Sequence, residues 1–267
     1  MRTIEALMDL HGRAALVTGG AGHIGQAVCA TLAELGADVA VLDLNGERAL
    51  EIAEELASSH HVQTHGLAVD LSDFENPADV TESVMSALGS LDILVNCAAL
   101  VGTSNLEGWN APFADQAIGP WRAALEINLT AVFRLTQACA PVLAASAKGV
   151  VVNIASIYGV VGPDPALYEG LDIHNPAAYA ASKGALVQLT RWLATSLAPN
   201  VRVNAISPGG MKRGQSQAFI ERYERRTPLG RMAREEDLKG AIAFLSTDLS
   251  SYVTGQNVLV DGGWTTW

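Results

Sequence analysis

An α/β fold, a doubly wound parallel sheet of about seven strands with helices on both faces, is predicted by three features of this chain. Short β-branched runs alternate with longer Ala/Leu-rich segments of helical period. Most of the short runs are apolar throughout, as strands buried on both faces are. No Pro/Gly/Ser linker, repeat or charge block divides the 267 residues, so the alternation is read as a single domain, 1–267. Right-handed crossovers through the helices then make the sheet parallel.

Strands are read at AALVT (14–18), DVAVLD (38–43), HVQTHGLAVD (61–70), LDILVN (91–96), GVVVNIA (149–155), VRVNAIS (201–207) and QNVLVDG (256–262). Helices are read near 23–35, 46–58, 75–88, 115–147, 177–197 and 234–247, the fourth broken at Gly119-Pro120 and again near Pro141. Segments 157–176 and 208–230 are rich in Pro or Gly, lack periodicity and follow strand C-termini. Ligands of open α/β sheets bind beyond those strand ends, which makes the two segments the expected substrate walls.

With 17 Lys+Arg against 28 Asp+Glu the net charge is −11, and 49% of residues are hydrophobic. Such a chain is globular, and its acidity argues against nucleic acid or an anionic membrane surface as partner. Polar residues interrupt every apolar run before the roughly 18 residues a membrane span needs. Glu5 and Asp9 stand where a secretory peptide would have its apolar centre, so a cytoplasmic location is expected. Cys29, Cys97 and Cys139 are odd in number and form no CxxC pair, which fits reduced thiols. No metal site is expected: His60, His61 and His65 lie around a helix end and a strand start without a carboxylate cluster.

The first strand runs into Thr18-Gly19-Gly20-Ala21-Gly22-His23-Ile24-Gly25 and then a helix. Gly19 allows a tight turn, Gly25 allows close helix packing, and the free N–H groups at the helix start attract a pyrophosphate. Asp43 ends the second strand, 18 residues beyond Gly25, where its carboxylate can accept hydrogen bonds from an adenosine ribose. It also repels the additional phosphate of NADP, and neither Gly22 nor Leu44 supplies a compensating cation, so NAD is preferred over NADP. Arg48 is the base nearby that could admit NADP. Alone, Asp43 would read as an ordinary strand-end turn residue.

In YAASK, Tyr179 and Lys183 stand at i and i+4 on one helix face. An ammonium near a phenol lowers its pKa, which suits Tyr179 to exchange a proton with an alcohol or carbonyl. Ser156, at the end of a central strand, is placed to hydrogen-bond the same substrate oxygen. Tyr158 and Tyr168 have Gly162 and Asp172 four residues on, so neither gains a cation by helical spacing.

These residues resemble the short-chain dehydrogenase/reductase family over essentially the whole chain. Thr18, Gly19 and Gly25 match its TGxxxGxG turn, with His23 replacing the middle Gly. Asn96-Cys97-Ala98-Ala99 resembles its NNAG stretch, substituted at Cys97 and Ala99. Asn128, Ser156, Tyr179 and Lys183 match its four polar catalytic positions, and Ser207-Pro208-Gly209-Gly210 its PG turn beside the nicotinamide. The resemblance implies a Rossmann fold, a nicotinamide cofactor, a homotetramer or homodimer, and hydride exchange between the cofactor and a substrate secondary alcohol or ketone. It implies cofactor contacts at Gly19, His23, Ile24, Gly25, Asp43, Asp70, Leu71, Asn96, Ala98, Tyr179, Lys183, Pro208 and Gly209, with Asn128 holding a water on a proton path to Lys183.

Ser156 and Tyr179 are 23 positions apart, wider than is common in the family, and Asp164, Glu169, Asp172, His174 and Asn175 lie between them. Such polar groups suit a polyol or sugar derivative; a solvated or subunit-contacting loop would look the same. Residues 212–234 carry seven bases against Glu221 and Glu224, a local excess of positive charge that either steers an anionic substrate or pairs along a helix surface. RTPLGRM and DGGWTTW resemble the branch of the family that oxidises sugars or modifies surface polysaccharide and flagellin. Trp264 and Trp267 are expected in core or subunit packing. The reading is thus an NAD-dependent oxidoreductase of a sugar, sugar acid or other polar carbohydrate derivative. The alternatives are a 3-oxoacyl-thioester reductase and a non-catalytic NAD-sensing or scaffolding module. A nucleotide-sugar epimerase or dehydratase is disfavoured, since little chain follows the seventh strand.

Overall fold

The computed structural model describes residues 1–73, 75–101, 104 and 106–267. Seven strands, β1 (Ala14–Thr18), β2 (Asp38–Asp43), β3 (Thr64–Ala68), β4 (Ile93–Asn96), β5 (Gly149–Ile154), β6 (Val201–Pro208) and β7 (Asn257–Val260), form one parallel sheet in the order β3-β2-β1-β4-β5-β6-β7. The chain starts in the middle, winds outward to β3, then crosses back to continue from β4. The switch point therefore lies between β1 and β4, where a crevice opens at the strand C-termini.

Helices α1 (Ile4–Met8), α2 (His23–Glu34), α3 (Gly46–His60), α4 (Pro77–Leu88), α5 (Ile118–Leu125), α6 (Ala131–Ala145), α7 (Ala177–Leu197), α8 (Gln217–Arg226) and α9 (Lys239–Ser246) complete the regular structure. Alternate strand residues serve opposite faces. Val17, Val39, Val95 and Val152 join Val28, Leu32, Ile52 and Leu245 of α2, α3 and α9 in one core, while Leu16, Leu42, Leu94 and Val151 join Val84, Leu135, Leu143 and Leu193 of α4, α6 and α7 in the other. The inner strands are wholly buried, which explains their uninterrupted apolar reading, whereas β3 lies at the sheet edge and keeps only the middle of the predicted 61–70 run.

Several elements differ from expectation. Gly119-Pro120 sits in the first turn of α5, where Pro costs little, and does not break a helix already formed. Pro141 lies inside α6 without ending it, because it and Gln137 are exposed and the carbonyl it leaves unbonded faces water. Between α5 and α6 the widened π turn Glu126–Thr130 keeps the backbone helical, so Ile118–Ala145 is continuous and long enough to cross a membrane, with an 18-residue window of mean hydropathy 1.2, although Arg122, Glu126, Asn128 and Arg134 interrupt its apolar runs as expected. Its buried residues Leu135, Cys139 and Leu143 pack on the sheet. Within 208–230, read as aperiodic, α8 forms on a Ser216 cap and buries Phe219, Ile220 and Tyr223.

Candidate active site

The crevice is built around Thr18, whose Oγ1 accepts hydrogen bonds from the N–H groups of Cys97 (3.0 Å) and Ala98 (3.2 Å), tying the end of β1 to the chain leaving β4. Gly19 follows at φ 63°, and a Cβ there would stand 2.7 Å from Ala98 Cα, so only glycine fits. Gly25 packs directly on the Gly19 carbonyl. Helix α2 starts at His23 without a side-chain cap and without an acid in its first turn, leaving its N–H groups and positive dipole end available to an anion. His23 is exposed at the mouth, while Ile24 packs into the core beneath.

Asp43 closes this turn from β2: Oδ2 accepts from Ala21 N and Oδ1 from Asn45 N, both at 3.1 Å. The carboxylate is thereby fixed at the crevice edge with lone pairs left for a diol. The glycine cradle, the bare helix start and the fixed carboxylate together fit a dinucleotide. At the end of β3, Asp70 is exposed and accepts from Ser72 N and Oγ (2.8 and 2.7 Å), bonds that hold its carboxyl below the usual range, and Leu71 packs against the second core. Pro208 and Gly209 end β6, and a Cβ on Gly209 would meet Asp261 Cα at 2.9 Å.

Asn96 pairs in register with Asn153 on β5, and its Nδ2 donates to Asn153 Oδ1 (2.9 Å) and Thr136 Oγ1 (3.3 Å) in a buried network that continues to Thr190. Its side-chain amide thereby braces the end of β4 within the sheet.

Ser156 follows β5, buried, with its Oγ accepting from Tyr158 N (3.2 Å). Tyr179 lies in the first turn of α7, half-buried against Trp109 and Ala178. Lys183, one turn later, is buried; its Nζ donates to the Ile154 carbonyl at 2.7 Å and stands 5.9 Å from the Tyr179 ring centre. Burial pushes the Lys183 amine down to about 8. Burial raises the Tyr179 phenol, opposed first by the Ser156 hydrogen bond and then by the charge of Arg213. The lowering expected from Lys183 is not among the leading influences on the phenol. Tyr158 and Tyr168 share a hydrogen bond with each other at 3.2 Å, and burial raises the Tyr158 phenol.

Asn128 is fully buried in the π turn. Its Oδ1 accepts from Leu100 N (2.8 Å), and its Nδ2 donates to Leu100 O (3.2 Å) and Ser182 Oγ (3.0 Å), so its side chain anchors the segment after β4 to α7.

A cavity of about 850 Å³ opens beside Tyr179, flanked by Ala177 and Ala180 and walled by Phe113, Gln116, Pro163, Tyr168, His174 and Asn175. Gln116, which no pattern singled out, caps α7 by accepting from Ala177 N (2.9 Å) and donates to Asn175 O. Asn175 Oδ1 is buried without a partner. The two expected walls are fastened to each other: Arg226 pairs with Asp164 at 2.9 Å, and Arg222 donates to the carbonyls of Leu167 and Glu169. Trp264 lies beneath them, stacked on Tyr223 and under Arg226, whereas Trp267 is exposed on the single chain and donates to the Arg226 carbonyl. The other bases of 212–234 are also engaged: Lys212 pairs with Glu224, Arg213 with Glu235, Arg231 with Asp237 and Arg234 with Glu236, while Arg225 donates to the Glu221 carbonyl. The positive excess counted within that window is offset by acids just beyond it.

The family model described as Enoyl-(Acyl carrier protein) reductase matches residues 19–265. The 3-oxoacyl-[acyl-carrier-protein] reductase FabG of Aquifex aeolicus (strain VF5) is 32% identical over 96% of this chain and 98% of its own length. A short-chain type dehydrogenase/reductase from Mycobacterium marinum superimposes with a TM-score of 0.86 at 30% identity, covering 99% of both chains. A gluconate 5-dehydrogenase from Burkholderia cenocepacia J2315, in complex with NADP and tartrate, does so with a TM-score of 0.87 at 29% identity, covering 99% of this chain and 100% of that one. A glycine cradle at a switch point, a Ser–Tyr pair beside a deep cavity and these full-length likenesses agree: the chain belongs to the short-chain dehydrogenase/reductase family of Rossmann-fold, NAD(P)-dependent oxidoreductases.

Proposed function

We propose that the protein interconverts a secondary alcohol and a ketone on a sugar, sugar acid or other polar carbohydrate derivative, with NAD as the preferred cofactor. The observation that carries this reading is Tyr179 standing at the edge of the large cavity, one helix turn from buried Lys183 and near enough to buried Ser156 to feel its hydroxyl. Ser156 orients the substrate oxygen, and Tyr179 exchanges the proton with it while Lys183 keeps the first turns of α7 docked on β5 through Ile154. The nicotinamide, when bound, supplies the hydride acceptor or donor. Gln116, His174 and Asn175 on the cavity wall support a hydroxyl-rich substrate, the unpartnered Asn175 Oδ1 being an acceptor ready for one hydroxyl. The working unit is one domain, 1–267, with 157–176 and 208–230 as substrate walls. We place it in the cytoplasm, on its free cysteines, as a homotetramer or homodimer, for which exposed Phe133 and Trp192 offer apolar surface.

The test is NADH fluorescence and turnover of the purified protein against sugar, sugar-acid, polyol and 3-oxoacyl-thioester panels. Turnover confined to the thioesters would establish instead the reading that the FabG likeness favours. Because the bases of 212–234 are paired, kcat/KM for matched neutral and phosphorylated sugars should differ little over a salt series. A preference for the anion at low salt would restore the steering role. Asp43→Ala should weaken NAD by about tenfold and NADP less, since charge-assisted bonds to the ribose diol are lost. An unaltered ratio of the two dissociation constants contradicts the ribose assignment.

A further inference from the structure

Met211 and Ala233 form a parallel bridge outside the main sheet, and Lys212 N donates to Ala233 O at 3.0 Å. Parallel register carries the chain two residues on from each bridge position, to Arg213 and Glu235, which face one another. There Arg213 Nε donates to Glu235 Oε1 at 3.1 Å. The backbone at Arg213 is staked as well: its N–H donates to Gln215 Oε1 at 2.6 Å, and Gln215 Nε2 donates to Met211 O at 2.7 Å. One edge of the guanidinium is thus fixed by a carboxylate. Nη2, which lies beside Nε on the guanidinium, is shut off from solvent and has no acceptor. A buried N–H of a charged group without a partner is costly, and a guanidinium held at Nε presents its terminal Nη1–Nη2 edge as a donor for an anion.

The neighbours of Arg213 place it along the crevice. The Arg213 charge reaches Tyr179, and it reaches Cys97, whose thiol burial pushes up to about 11 against the opposing charges of Lys183 and Arg213. Its brace, Glu235, begins a turn that packs against α2. Burial works to raise the Glu235 carboxyl, but its own backbone N–H and Arg213 hold it below the usual range, and His23 adds to this from the start of α2. Arg213 therefore stands between the phosphate turn and the reacting pair. The substrate cavity is lined from 113–116 and 163–180, with no contribution from 211–235 among the described residues, so Arg213 is on the cofactor side of Tyr179.

We propose that Arg213, braced by Glu235, grips the nicotinamide-side phosphate of the dinucleotide diphosphate, complementing the N–H groups of α2 that hold the adenosine-side phosphate. The assignment rests on the dinucleotide reading of the crevice and adds a residue-specific charge to it. It also explains why Arg213 is paired by a single nitrogen while Arg231 engages Asp237 with two.

Calorimetric titration with ADP-ribose, NADH and AMP tests it without any substrate. In Arg213→Gln, ADP-ribose and NADH should both weaken by about tenfold or more while AMP, which lacks the second phosphate, stays within about twofold of wild type. Arg213→Lys should recover part of the loss, since a point charge replaces the fork. Should Arg213→Gln fail to fold, Glu235→Gln releases the brace and should weaken ADP-ribose while sparing AMP. Equal losses for AMP and ADP-ribose, or ADP-ribose within about twofold of wild type, overturn the proposal and leave the dinucleotide reading standing. A wild-type protein that binds neither NADH nor ADP-ribose overturns both.

Discussion

Tyr179→Phe is expected to lower kcat by about a thousandfold or more while the dissociation constant for NADH changes by no more than about threefold. The Tyr179 ring is seated against Trp109 and Ala178, contacts that phenylalanine keeps. The substitution therefore removes a proton donor and acceptor without opening a cavity. Steady-state turnover on the best substrate of the panels, with NADH titrated by fluorescence, gives both numbers. Unchanged turnover would take Tyr179 out of the chemistry, and a parallel loss of NADH affinity would make its role one of binding.

Lys183→Met should abolish most activity and at the same time stabilise the fold at neutral pH. Burial lowers the amine from its ordinary 10.5 to about 8, so the folded chain disfavours the charged form. Below pH 8 the amine is protonated in both folded and unfolded chains, and the full cost of burying its charge is present. Between pH 8 and 10.5 the unfolded chain binds more protons than the folded one, so wild-type stability rises through that window. The shift corresponds to roughly 3 kcal/mol at pH 7, less about 1 kcal/mol for the lost bond to Ile154 O, leaving a net gain of about 2 kcal/mol for methionine. Thermal unfolding at pH 7 should show a Tm higher by roughly 4 °C or more, with the advantage shrinking toward pH 10.5. Turnover should fall by at least about a hundredfold. A variant less stable than wild type at pH 7, or a gain that does not change with pH, argues against a charge held at a cost for function.

What could be read beforehand was whatever depends on local spacing. Inner strands declare themselves because both faces are covered, and Tyr179 and Lys183 share a helix face whatever surrounds them. Long-range pairing was not legible. Asn96 turns to Asn153 because β4 and β5 align in that register, and Arg213 meets Glu235 because Met211 bridges Ala233. The charge excess of 212–234 misled for the same reason: Glu235, Glu236 and Asp237 lie just outside the window, and Asp164 is remote in sequence. Helix α8 was not legible because, although Phe219, Ile220 and Tyr223 share one face, the segment is strongly polar on average and flanked by Pro and Gly.

The fastening of α8 to the stretch after Ser156 limits how new specificities can arise in this framework. A chimaera that imports a shorter version of that stretch leaves Arg222 without the carbonyls of Leu167 and Glu169, and Arg226 without Asp164, although Arg226 still lies over Trp264. Transplanting α8 alone strands the same groups from the other side. Selectivity here is heritable only as a matched set, and recombination that splits the two segments should yield folded sheets with poorly formed mouths.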